Sequence, residues 1–189
     1  MNEPTLGGRI GRLVDEFFER RGSAFRDAAA ACASALSRGG TILAFGNGGS
    51  AAEAQHFVAE MVNKFRKPRR ALRAVTLSAD TSILTSIGND LSFEAVFSRQ
   101  IEALGEAGDV ALALSTSGQS PNIIAALATA KAMGLTTIAL TGRGGGTLVS
   151  STDFLLDVDS GETPRIQEVH LAIIHLLTEE IESRLKLFG

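Results

Sequence analysis

Apolar residues fall into two kinds of pattern along this chain. Thr41–Phe45 (TILAF), Val110–Leu114 (VALAL), Thr136–Leu140 (TTIAL) and Phe154–Val158 (FLLDV) are short runs with little polar alternation. Runs of that length read as strands buried on both faces, and Arg73–Ser78 (RAVTLS) is a fifth, weaker strand between the first two. The segments between them have helical spacing. Residues 9–21 and 24–37 read as two amphipathic helices parted near Gly22-Ser23, with Ile10, Leu13, Val14, Phe17 and Phe18 on one stripe. An Ala-rich helix follows Gly46–Ser50. Asp80 caps a short helix to Ile87, closed by a Gly88-Asn89-Asp90 turn, and Leu91–Leu104 reads as a helix burying Phe93, Val96, Phe97 and Ile101. Ser120-Pro121 is an N-cap and N1 pair that opens a helix to Met133. Gly144–Gly146 reads as a loop before a short helix near Leu148, and Thr163-Pro164 opens a last helix to about Leu185.

Strands alternating with helices predict an α/β fold: a three-layer αβα sandwich around a five-stranded parallel sheet, with an N-terminal helical extension. The expected organisation is one domain over 1–189, with N-terminal helices over 9–37 and the αβα core over 41–187. In such sheets ligands bind beyond the carboxyl ends of the strands. Composition agrees with a globular chain, at 44% hydrophobic and 21% charged. With 18 Lys+Arg against 21 Asp+Glu, the net charge of −3 gives no electrostatic case for nucleic acid. The cluster Arg66, Lys67, Arg69 and Arg70 reads as a solvated loop or a subunit contact. No run reaches transmembrane length and the N-terminus lacks a signal-peptide apolar region, so no membrane association and a cytoplasmic location are expected. The single Cys32, in an Ala-rich helical run, reads as a small core residue in a reducing compartment.

The candidate chemistry sits at two strand-to-helix turns. Gly46-Asn47-Gly48-Gly49-Ser50 follows the first strand, and a helix starting there aims backbone N–H groups and its positive dipole end at one point, which favours an anion. It matches neither a dinucleotide fingerprint nor a P-loop. Ser115-Thr116-Ser117-Gly118-Gln119-Ser120 follows the third strand and offers hydroxyls at a second helix start. Capping needs one of them. Hydroxyls with N-terminal amides can hold a phosphate without Lys or Arg. Trp and Tyr are absent, so a sugar would be held by hydrogen bonds and charge rather than by stacking on those rings.

All three histidines lie on two of the helices: His56, His170 and His175. His56 and Glu60 are one turn apart on one face. Gln167 and His175 are separated by about 80° around the last helix and can converge on one point; His170 lies about 140° from His175, so one of those two serves packing or a subunit contact. His56, Glu60, Gln167 and His175 could together offer N, O, O and N donors of the kind zinc accepts, although Gln is an uncommon ligand and spacing alone does not make them a site.

These segments resemble the sugar isomerase (SIS) domain family, and most closely its phosphoheptose isomerases. The resemblance is carried by GNGGSAAEAQHFVAE (46–60), DTSILTSIGND (80–90), FSRQIEALGEAGDV (97–110), STSGQSPNI (115–123), ALTGRGGG (139–146) and TPRIQEVHLAIIH (163–175). It implies conversion of sedoheptulose 7-phosphate to D-glycero-D-manno-heptose 7-phosphate through an enediolate, the first step toward heptose units of lipopolysaccharide or other surface glycans. It also implies a homotetramer with sites at subunit interfaces and one zinc per subunit. On that pattern Asn47, Gly48, Gly49, Ser50, Asn89 and Asp90 contact the sugar, with Glu60 and Gln167 also beside substrate. Ser115, Thr116, Ser117 and Ser120 take the phosphate. His56, Glu60, Gln167 and His175 match the metal positions, and Glu60 and His175 match the acid–base pair. Pro164 stands where some members carry an acidic residue, which favours a mechanism of Glu60 and His175 alone, and Lys64 stands where some carry Arg. A competing reading is a non-catalytic SIS tetramer that binds the replication initiator protein; such relatives lose the carboxylate and final histidine that Glu60 and His175 supply here. A sugar-phosphate sensor with a DNA-binding domain ranks last, since no residues remain for that domain.

Overall fold

A computed structural model describes residues 5–186. The outermost residues of the expected domain, 1–4 and 187–189, lie outside that range. In chain order the elements are α1 (Leu6–Ser37), β1 (Ile42–Gly46), α2 (Gly49–Val62), β2 (Ala74–Thr76), α3 (Thr81–Asp90), α4 (Ser98–Leu104), β3 (Val110–Ser115), α5 (Pro121–Ala132), β4 (Thr136–Thr141), β5 (Phe154–Asp157) and α6 (Thr163–Arg184). Short 3-10 turns occupy Phe93–Ala95 and Gly146–Ser150.

All five strands are parallel, in the order β2-β1-β3-β4-β5. Successive side chains of a strand point to opposite faces, and here both faces are covered. Ile42 and Ala44 of β1 join Leu112, Leu114, Ile138 and Leu140 under α1, α2 and α6. Leu43 and Phe45 join Ala111, Ala113 and Ala139 against Ile101 of α4 and Ile123 and Leu127 of α5. That is why the strands read as continuous apolar runs.

The N-terminal region departs from expectation. It is one helix of 32 residues, not two parted at Gly22-Ser23. A glycine inside a helix costs about 1 kcal/mol relative to alanine. The inward stripe continues through it, with Phe17, Phe25, Ala28, Ala29 and Cys32 all buried, and that packing outweighs the cost. Burial pushes the Cys32 thiol up to about 12, consistent with an inert core residue. Leu91–Leu104 departs in the other direction: Ser92 accepts from Ala95 N and opens a 3-10 turn, so the helix proper begins at Ser98. Asn89 and Asp90 belong to the last turn of α3 rather than to a separate turn. The N-cap of α6 is Glu162, one residue earlier than expected. Asp80 caps α3 as expected, its Oδ1 accepting from Ile83 N at 2.9 Å.

The sheet order places β1 and β3 side by side while their following helices carry the chain to opposite faces. This is the switch point where α/β sheets open a crevice beyond their carboxyl ends. Both turns singled out from the sequence border it.

Candidate active site

The turn after β1 is shaped by close contacts. A Cβ on Gly46 would lie 2.8 Å from the backbone of Ser50 and 2.9 Å from Leu114 O, so only glycine lets β1 end against β3 while α2 begins. Gly48 takes φ +55 and forms the N-cap of α2. Across the crevice Asn47 and Asn122 exchange side-chain hydrogen bonds at 2.9 Å, tying the β1 turn to the start of α5. A Cβ on Gly49 would stand 2.3 Å from Gln167 Nε2, so the bare glycine is what admits the Gln167 amide onto the turn.

The resulting crevice holds about 220 Å³ and is lined by Asn47, Gly49, Ser50, Ser115–Ser117, Ser120, Leu114, Thr163 and Gln167. That volume lies below the range for drug-sized ligands and suits a small metabolite. Its lining carries hydroxyls, amides and the starts of three helices, at Gly49, Ser120 and Thr163, the right chemistry for a phosphate. Ser120 precedes Pro121 but makes no capping bond with its side chain, so its hydroxyl is not consumed by the helix.

Farther along the same two helices, His56 Nε2 of α2 lies 2.8 Å from His175 Nε2 of α6. Glu60 Oε1 is 3.6 Å from His56 Nε2, and the Phe65 ring stacks on His175 with centroids 5.6 Å apart. Gln167 and His175 are eight residues apart, which is about 12 Å along a helix.

Two nitrogen lone pairs cannot face each other at 2.8 Å, so something positive must lie between them: a proton donated by one ring, or a cation. Among the described residues no group of three or more His, Cys, Asp or Glu is arranged as a metal cluster. A metal held here would take the place of that proton, with His56 and His175 as two of its donors. The donors fit chemically, with Glu60 beside His56.

The remaining expected residues divide clearly. Asn89 and Asp90 are exposed, are hydrogen-bonded to each other at 2.7 Å, and do not line the crevice within this chain. His170 is the packing histidine: it is fully buried, Nε2 is 3.1 Å from Thr141 O, and burial pushes its pKa down to about 4.

Two residues were not anticipated. Glu53, one turn from both Ser50 and His56, has its carboxyl pushed up to about 7 by burial, against the pull of the Ser50 hydroxyl. Its spacing on the face of α2 was visible, but its burial depends on α6. Arg69 is no solvated loop residue; its side chain is buried against Glu182 and donates to Glu60 O at 2.7 Å and Met61 O at 2.9 Å. It thereby fixes the end of α2 that carries Glu60.

A parallel sheet with a hydroxyl-lined crevice at its switch point, and no nucleotide motif, defines an α/β domain built to take a small polar ligand. The family model of the SIS domain matches residues 8–142. The phosphoheptose isomerase of Desulfovibrio desulfuricans is 50% identical over 168 residues, 89% of this chain and 80% of that protein. That of Geobacter sulfurreducens is 49% identical over 186 residues, 98% of each. The solved phosphoheptose isomerase of Neisseria gonorrhoeae superposes with a TM-score of 0.87 at 44% identity, covering 93% of this chain and 94% of that one. The chain belongs to the phosphoheptose isomerase family of SIS-domain proteins.

Proposed function

We propose that the protein isomerises sedoheptulose 7-phosphate to D-glycero-D-manno-heptose 7-phosphate. The observation that carries this reading is the meeting of His56, Glu60 and His175 on the same two helices, α2 and α6, that wall a hydroxyl-lined crevice. The Ser115–Ser120 turn and the α5 N-terminus hold the phosphate, with Asn47, Gly48, Gly49 and Ser50 on the sugar. The Glu60 carboxylate removes a proton from C1 of the ketose and returns it to C2. His175 gives a proton to O2 and accepts one from O1, so the enediolate forms and collapses without net change in protonation. Arg69, by holding the Glu60 and Met61 carbonyls, keeps the base at a set height over the chain of the sugar.

The donor chemistry supports one zinc per subunit on His56, Glu60, Gln167 and His175. Bound there, zinc would supply positive charge to the developing enediolate oxygens. The exposed pair Asn89-Asp90 sits beside Leu91 and Phe93, which are 62% and 64% exposed. Large apolar side chains at that exposure favour a covering partner. We therefore extend the reading to a homotetramer in which this edge completes a neighbouring subunit's site. We extend the reading to a reaction in the cytoplasm, whose product serves heptose precursors of surface glycans.

The test is direct. Purified protein is mixed with sedoheptulose 7-phosphate and the aldose is followed by NMR. Appearance of the aldose at a rate proportional to enzyme supports the reading; its absence at high enzyme concentration, with added zinc, rejects it.

A further inference from the structure

The chain between α2 and β2 lies along α6, and its contacts fall on one stripe of that helix. The Phe65 ring stacks on His175 with centroids 5.6 Å apart and planes inclined by 27°. Arg66 Nη1 meets Glu179 Oε1 at 2.8 Å, and Arg69 Nε donates to Glu182 Oε1. His175, Glu179 and Glu182 stand at i, i+4 and i+7, within about 60° of one another around the helix axis. Residues 65–69 are therefore a strap laid on the face of α6 that carries the imidazole of the proton-transfer site.

The three contacts are unequal. Arg66 and Glu179 are 69% and 50% exposed, and a surface pair of that kind contributes little. Arg69 and Glu182 are 0% and 3% exposed. Removing one partner would leave the other charge buried and uncompensated, so this pair is where the strap is pinned. The same guanidinium closes α2. Asn63 caps that helix at φ −85, outside the left-handed conformation by which a glycine would help satisfy the last carbonyls. Arg69 donates to them instead, from Nη2 to Glu60 O at 2.7 Å and from Nη1 to Met61 O at 2.9 Å. One planar fork thus holds the last turn of α2, which bears Glu60, against α6, which bears His175.

We infer that Phe65 and Arg69, the latter anchored by Glu182, are positioning residues that set the Glu60 carboxylate and the His175 imidazole at a fixed separation. Arg69 holds the turn beneath Glu60. Phe65 covers one face of the His175 ring and restricts its rotation. The two lie four residues apart on one strap, so a strap that lifts releases both groups together. The catalytic consequence rests on the isomerase reading; the strap itself does not.

Steady-state kinetics with sedoheptulose 7-phosphate on F65L, R69K and the R69M/E182M double variant, beside thermal melts, test the inference. R69K keeps a charge for Glu182 but lacks the fork that reaches two carbonyls as well. R69M/E182M removes the clamp without leaving either charge buried alone. Each is expected to lower kcat by about tenfold or more with KM within about twofold of the wild type, because the Ser115–Ser120 turn lies on other elements. R69K is then placed in an E60Q background. Without the base its position no longer matters, so R69K/E60Q is expected to turn over no more slowly than E60Q, while its melting temperature drops by as much as R69K alone causes. A raised KM with unchanged kcat, wild-type turnover in F65L, or a further loss of kcat in R69K/E60Q overturns the inference. A wild type without turnover strikes the isomerase reading instead. Amide hydrogen exchange at residues 60–63 then decides the strap: exchange about tenfold faster in R69K than in the wild type upholds it, and unchanged exchange overturns it.

Discussion

His56 and His175 are 119 residues apart in sequence and 2.8 Å apart at their Nε2 atoms. The contact joins the two helices that also build the crevice wall, through Ser50 on α2 and Gln167 on α6. Anything that shifts one helix along the other moves the crevice wall and the histidine contact together.

Glu60→Gln tests the base. The amide keeps the shape of the side chain and cannot take a carbon-bound proton, so kcat is expected to fall by about 10³-fold with KM changed little. Glu60 is partly exposed, and its contribution to the fold passes through its main-chain carbonyl to Arg69, so the melting temperature is expected to stay near that of the wild type. Steady-state kinetics beside a thermal melt check both halves. Near-normal turnover would remove Glu60 from the mechanism.

Metal content gives an independent readout. Elemental analysis of the purified protein is expected to return one zinc per subunit, and His56→Ala is expected to lose it, since two facing imidazoles are the strongest part of the donor set. Prolonged chelation followed by zinc return is expected to abolish and restore turnover. Metal-free protein with full activity would confine the site to Glu60 and His175 alone.

Gly46 and Gly49 separate folding from binding within one turn. A Cβ at Gly46 meets backbone at 2.8 Å, which cannot give without moving the end of β1. Gly46→Ala is expected to cost about 2–3 kcal/mol of stability, measured by denaturant unfolding. A Cβ at Gly49 meets the far end of the Gln167 side chain, which can swing away. Gly49→Ala is expected to fold with little loss and to show a raised KM. Equal destabilisation by both would mean that Gln167 is locked rather than draped over the turn.

Residues whose role is local were the legible ones. The buried strands, the Asp80 cap and the two polar turns each announce themselves within a few positions, because a strand covered on both faces must be apolar throughout. Gly22 misled, since a glycine in a helical stripe signals a break that the packing of Phe17, Phe25 and Cys32 overrides. Arg69 and Glu53 were opaque for the opposite reason. Each looks like a surface charge on its own element, and each is buried by α6, against Glu182 and His170 respectively. The pairing of His56 with His175 needed knowledge of a family as well as of spacing. The helix angles allowed convergence without requiring it.

Glu53 and His170 also make a prediction about stability and pH, with opposite signs. The folded pKa of His170 is pushed down to about 4 from 6.5, so the folded state binds fewer protons than the unfolded state between those values. Taken alone, this residue makes stability fall as pH drops from 6.5 toward 4, by about 3 kcal/mol in all. The folded pKa of Glu53 is pushed up to about 7 from 4.5, so the folded state binds more protons in that window. Taken alone, it makes stability fall as pH rises from 4.5 toward 7, by a smaller amount because the carboxyl keeps some contact with solvent. Between pH 4.5 and 6.5 the two slopes largely cancel, since the folded pair holds one proton on Glu53 and the unfolded pair holds one on histidine. Glu53→Gln removes one of them. Relative to the wild type, its stability is expected to fall by about 2 kcal/mol as pH is lowered from 6.5 to 4.5, because the uncompensated His170 remains. Denaturant unfolding of both proteins across that range isolates the effect, as every other titrating group cancels in the difference. A difference that does not change with pH would show that the buried imidazole and carboxyl do not titrate as a linked pair.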